Sequence, residues 1–223
     1  MRNEIHEHLK VFLKDHPGSR ALWSDAHHFY MIDWHRRKYH NISHAEDVSM
    51  NILTINPEAT FDLLLAARWH DAIYFVGAGE DANERCSAAA LWGSFQRLGD
   101  STTEFNDLLP FVESAKSLIM QTSIRHHLMP DNLKLENDQV RKLACLLDAD
   151  LGSLALPFES FVNKQKHIVE ENFGQFERDK SKSAAFLSQF LSVRPTIYHT
   201  AEAIDKWESA ARNNIEKYLT HCG

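Results

Sequence analysis

The chain has 223 residues, 43% of them hydrophobic and 25% charged, and carries a net charge of −7. That length suits one domain, and the composition lies far from that of disordered chains. The acidic balance argues against a surface built for a nucleic-acid backbone, so no nucleic-acid polymer is expected as a partner.

The predicted elements are all helical. Residues 3–14 place Ile5, Leu9, Phe12 and Leu13 on one face, and His16-Pro17-Gly18-Ser19 breaks that pattern. A helix over 20–34 follows, through Leu22, Trp23, Ala26, Phe29, Tyr30 and Trp34. In the polar stretch after it, His40 and His44 stand four apart and share a side if already helical. That helix continues through Val48, Ile52 and Leu53 to Asn56-Pro57.

Thr60 then caps a run from Leu63 to Tyr74 that ends in an adjacent His70 and Asp71. Neither group tolerates so much apolar surface unpaired, and a bound cation would satisfy both. Imidazole nitrogen beside carboxylate oxygen is a mixed donor set that suits borderline divalent metals.

Residues 75–82 read as a loop, and Asn83-Glu84 opens a helix that stops at Gly99. A helix over about 108–125 ends at His126-His127, and a turn follows at Met129-Pro130-Asp131-Asn132. From Asn137 a strongly apolar helix runs into Asp148-Ala149-Asp150. Helices over 158–173, 184–191 and 200–219 complete the chain. No alternating strand run appears, and eight glycines and six prolines leave little punctuation for hairpins. The expected fold is all-α, one compact bundle of nine or ten helices over 1–223. Its core spans about 25–155, with the C-terminal helices of about 158–220 packed on it.

Cys86, Cys145 and Cys222 have neither metal-finger nor redox spacing. The first residues lack a signal peptide's apolar core, and no apolar run is long enough for a bilayer. A soluble cytoplasmic protein with no membrane partner is expected.

The polar residues embedded in apolar helical context are His40, His44, His70, Asp71, His126, His127, Asp148 and Asp150. The order His, then His-Asp, then Asp, each on a different helix, resembles the HD-domain superfamily of metal-dependent phosphohydrolases. The likeness is closer to one branch without an assigned substrate. Five blocks carry it: Arg37-Lys38-Tyr39-His40-Asn41-Ile42-Ser43-His44, His70-Asp71-Ala72-Ile73-Tyr74, Asn83-Glu84-Arg85-Cys86-Ser87-Ala88, Thr122-Ser123-Ile124-Arg125-His126 and Asp148-Ala149-Asp150-Leu151. Ala211-Arg212-Asn213-Asn214 also looks like that branch's ending. Two departures stand out. Phe75 occupies a position usually held by Asp, and Lys182-Ser183 stands where a Gly-Arg pair usually precedes the penultimate helix.

The resemblance implies an HD-type bundle that binds one divalent ion (Mn, Mg, Ni, Co, Zn or Fe) and hydrolyses a small phosphate ester, such as a nucleotide, with a metal-activated water. It implies His44, His70, Asp71 and one of Asp148 or Asp150 as ligands. Residues two apart on a helix point to different sides, and Asp150 is favoured because it follows an Ala and precedes an apolar turn. Asp148 then orients a ligand or takes a catalytic role, alongside Glu84 and His126. His40, Arg37, Tyr39, Asn83 and Thr122 are candidate substrate contacts. Arg36-Arg37-Lys38 reads equally as a solvated basic face, and His127 reads as a surface or helix-end histidine. Two other functions fit the sequence: a metal-binding regulatory module without turnover, and a di-iron oxygenase, which needs further histidines between the His-Asp pair and the last Asp.

Overall fold

Apolar residues at helical spacing fold the chain into ten α-helices of two turns or more, plus a single-turn helix, with no strand among the described residues. A computed structural model describes residues 2–79, 81–99, 103–128 and 137–222, with the backbone alone at 2, 3, 103, 104, 124 and 125. The first half comprises α1 (Arg2–Asp15), α2 (Pro17–Met31), α3 (Ile42–Ile55), α4 (Phe61–Trp69), α5 (Ala82–Gln96) and α6 (Thr103–Ile119). The second half comprises the single turn α7 (Ile124–His127), α8 (Asp138–Asp150), a 3-10 turn over Leu151–Ala155, α9 (Phe158–Phe173), α10 (Phe176–Ser192) and α11 (Ala201–Cys222).

The centre of the bundle is α4. All nine of its residues are buried, between α3 and α6 with α8 beside them. Each of Leu63, Leu64 and Leu65 is wholly covered, a burial that stabilises by about 1.5–3 kcal/mol per side chain. The helix's three polar-bearing side chains each find a partner, although Asp62 Oδ1 stays unpaired among the described residues. Asp62 meets Lys142 Nζ at 2.9 Å and Ser114 Oγ at 2.5 Å. Trp69 Nε1 donates to the Leu22 carbonyl, and Arg68 lies over the Trp23 ring and donates to its carbonyl. One continuous core joins Ile5 on α1 to Tyr218 on α11.

Several boundaries differ from the sequence expectation. Pro17 starts α2 rather than ending α1, because proline suits a helix's first turn, so the break is His16 alone. The expected helix over 108–125 is two: α6 begins at Thr103, tolerates Pro110 inside, and stops at Ile119, before the single turn α7. Thr60 occupies the N-cap of α4, yet its hydroxyl makes no cap bond. The helix expected over 184–191 starts at Phe176, so Lys182 and Ser183 lie inside α10. Gly174, at φ 94°, turns α9 into α10 in a backbone conformation that other residues adopt with strain. The turn expected at 129–132 lies outside the described residues. No described helix is long and apolar enough to cross a membrane, and the three cysteines are free thiols.

Candidate metal centre

Three helix ends meet at one point. Asn41 caps α3, accepting from the backbone N–H of Ser43 and His44, which places the His44 ring in the first turn. His70 and Asp71 leave the C-terminal end of α4, and Asp150 is the last residue of α8. His44, His70 and Asp71 offer ligand atoms that all lie within 4.8 Å of one another. Asp150 Oδ1 stands 2.9 Å from His44 Nε2 and 3.6 Å from His70 Nε2, and Asp71 Oδ2 stands 3.0 Å from His70 Nε2.

The ring orientation of His70 is fixed from behind. Its Nδ1–H donates to the Ala67 carbonyl at 2.8 Å, so Nε2 is the atom facing the two carboxylates. Yet neither His44 Nε2 nor His70 Nε2, both buried, finds a partner with hydrogen-bond geometry. Two orphaned imidazole nitrogens converging with two carboxylates fit a borderline divalent cation. A proton is the other way to relieve the cluster. Burial disfavours the His70 imidazolium, but Asp71 and Asp150 outweigh it and hold its pKa well above the usual value. Burial would likewise raise both carboxyls. The His70 charge holds Asp71 below the usual carboxylate range, and His127, His44 and His70 hold Asp150 well below it.

Of the two adjacent histidines, His127 reaches the cluster. It is only 2% exposed, not a surface residue, and its Nε2 lies 3.2 Å from Asp150 Oδ2. His126 is instead paired through Nδ1 with Ser123 Oγ at 3.0 Å. The sequence favours His126 as catalytic and His127 as a surface or helix-end residue. His127 is the one that lines the cavity, and a single helical turn has no periodicity from which to read that orientation.

Asp148 and Asp150 point apart, as residues two apart on a helix must. Asp148 is fully buried and takes no place among the ligands. It accepts from His199 N, Thr200 N and Thr200 Oγ1, each at 2.7 Å, and so anchors the start of α11. Burial pushes its carboxyl up to about 6, although the bonds from Thr200 and His199 pull the other way.

Arg37 is buried and turned away from the cavity. Its guanidinium donates to the carbonyls of Asp71 and Ala72, both at 3.1 Å, holding the backbone that carries a candidate ligand. Arg36 is exposed and Lys38 pairs with Glu170 at 2.8 Å, so the basic run supplies no phosphate clamp. Replacing Arg37 by Ala is expected to weaken metal affinity about 10–100-fold, as loss of a ligand-orienting contact does. Competition titration against a chelator measures this, and unchanged affinity would refute the positioning role.

Asn83 and Ser87, one turn apart on α5, clamp the chain beyond Asp71. The Asn83 amide pairs with both backbone groups of Phe75, and the Ser87 hydroxyl with both of Ile73. This leaves Phe75, 56% exposed, outside the cavity lining. Glu84 lines the cavity half-buried, and burial raises its pKa.

Beside the cluster lies a cavity of about 520 Å³, within the range of small-molecule sites. His70, Asp71 and Asp150 border it together with His127, Glu84, Thr122 and Tyr39. Tyr39 sets its hydroxyl 3.2 Å from Ser153 Oγ. His40 also borders it, stacked on the Tyr74 ring at 3.7 Å with its Nδ1 held by the Glu171 carboxylate. Burial disfavours the His40 imidazolium, but Asp71 and Glu171 outweigh it and raise its pKa. Another wall belongs to α9 and α10, where the sequence marks only Lys182-Ser183, as a departure from the family pattern. A second cluster of metal-ligating residues does not occur among the described residues. The chain matches no protein-family model, and no curated protein matches it by sequence.

Proposed function

We propose that this chain is an HD-type, metal-dependent phosphohydrolase acting on a small phosphate ester. The observation that carries the proposal is the convergence of His44, His70, Asp71 and Asp150 from three helix ends, with two buried imidazole nitrogens unpartnered, at the edge of a ligand-sized cavity. A divalent cation bound there supplies Lewis acidity and lowers the pKa of a coordinated water.

The remaining residues bind and move protons around it. His40, braced at Nδ1 by Glu171 and with no partner on Nε2 among the described residues, donates from Nε2 to a phosphate oxygen or to the leaving oxygen. Glu84, its pKa raised by burial, accepts a proton near neutral pH more readily than an exposed carboxylate. His127 holds Asp150 in orientation from its outer side. No cationic clamp is needed, because the ion itself offsets the phosphate charge.

The test combines metal analysis of the purified protein with phosphate release from nucleotides and sugar phosphates, each with Mn, Mg, Ni, Co, Zn or Fe added. One ion per chain and release from at least one ester is expected. A bound ion with no ester hydrolysed would instead make the chain a metal-binding module. Two irons with oxygen uptake would make it an oxygenase.

A further inference from the structure

The far end of the same cavity carries a polar group that the metal chemistry does not use. Gln165 on α9 is 2% exposed and lines the cavity. Ser183 on α10 donates to Gln165 Oε1 at 2.8 Å, which fixes the amide. Its Nε2 then has no protein partner among the described residues. The same cavity is lined by Leu154, Ile168, Leu187, Phe186 and Phe190, with Asn172 and Lys182 as further polar residues of α9 and α10. Phe186 and Phe190 stand edge to face at 5.5 Å, one turn apart.

We infer that Gln165 is a specificity-determining residue: its amide N–H donates to a ring carbonyl of a planar heterocycle enclosed by Phe186, Phe190 and Leu154. The amide donor opens on the cavity, so a ligand carbonyl placed there is selected over a plain hydrocarbon ring, which takes the place of water on that N–H without pairing it. The Phe186 and Phe190 rings favour a flat body against them over a sugar, whose hydroxyls would lose water on those faces. The substrate class is therefore a phosphate ester whose remote part is a carbonyl-bearing ring, uracil being the simplest probe. This rests on the cavity being the substrate site of the proposed phosphohydrolase.

Binding can be read without phosphate or metal, by calorimetry with uridine and with the riboside that carries benzene in place of uracil. The expected result is tighter binding of uridine by about tenfold or more. Gln165→Leu should lower uridine affinity about 10–100-fold to the level of the phenyl riboside, whose own binding is unchanged. Ser183→Ala, which only releases the amide's orientation, should weaken uridine in the same direction and serves if Gln165→Leu does not fold. Equal affinity for the two ligands, no uridine binding, or equal losses on substitution would overturn the inference. Phosphate release without uridine selectivity would sink the inference alone. Uridine selectivity without any phosphate release would sink the phosphohydrolase reading and leave the subsite standing.

Discussion

Asp71→Ala and His70→Ala are expected to fold and to lose the metal, with phosphate release falling by about 10³-fold or more. Either change removes one of the converging donors and leaves the remaining set short of a closed coordination shell. Metal content after dialysis decides the matter, and full occupancy in both variants would dismantle the site. Ion binding also has a pH signature. The raised pKa of His70 gives stability that is full below its usual 6.5 and lost as pH rises through the folded value. The depressed pKa values of Asp71 and Asp150 give stability that is full above the usual 3.8 and lost as pH falls through the folded values. Chelator-treated protein should thus be most stable between about pH 4 and pH 6.5. Ion uptake must expel the His70 proton, so apparent affinity climbs with pH and its calorimetric heat varies with the buffer.

Asp148→Ala should leave the ligands intact and instead weaken the fold, by about 3–5 kcal/mol. Three donors lose their acceptor at once. Thr200, which donates to Asp148 while accepting from Ala203 N, loses its hold on the first turn of α11. The buried Arg194 guanidinium, which donates to the carbonyls of His127, Ile197 and Tyr198, loses a nearby counter-charge. A fall in melting temperature of roughly 10 °C is expected at pH about 7.5, where Asp148 is ionised. A small shift with loss of bound metal would instead return Asp148 to the coordination shell.

The contrast between those two aspartates marks where the sequence was legible. Helical periodicity revealed the all-α fold because each helix here buries one apolar stripe, or in α4 every face. It also put His44, His70, Asp71 and Asp150 at helix ends, where a short apolar run stops at a polar group. Arg37 was less legible. A cation beside Tyr39 and His40 suggests a phosphate contact, and only the path of the chain shows it facing the Asp71 and Ala72 carbonyls. His127 and His126 were beyond reach, since one turn of helix between loops fixes no face in advance. The α9–α10 wall was hidden for another reason. Gln165 looks like any solvated residue, and Ser183 stands out only as a departure from the family pattern, until the hairpin at Gly174 turns them toward each other.

A helix with no solvent face has no neutral position, and α4 is such a helix. Every substitution between Phe61 and Trp69 is a core substitution, felt by α3, α6 and α8 together. The candidate metal donors at its end, His70 and Asp71, therefore sit on the part of the molecule least free to drift. The cavity wall built from α9 and α10 alternates buried and open positions and can change residue by residue. Heritable change in what this protein accepts would accumulate in that hairpin, while what it does to the ligand stays fixed by the central helix.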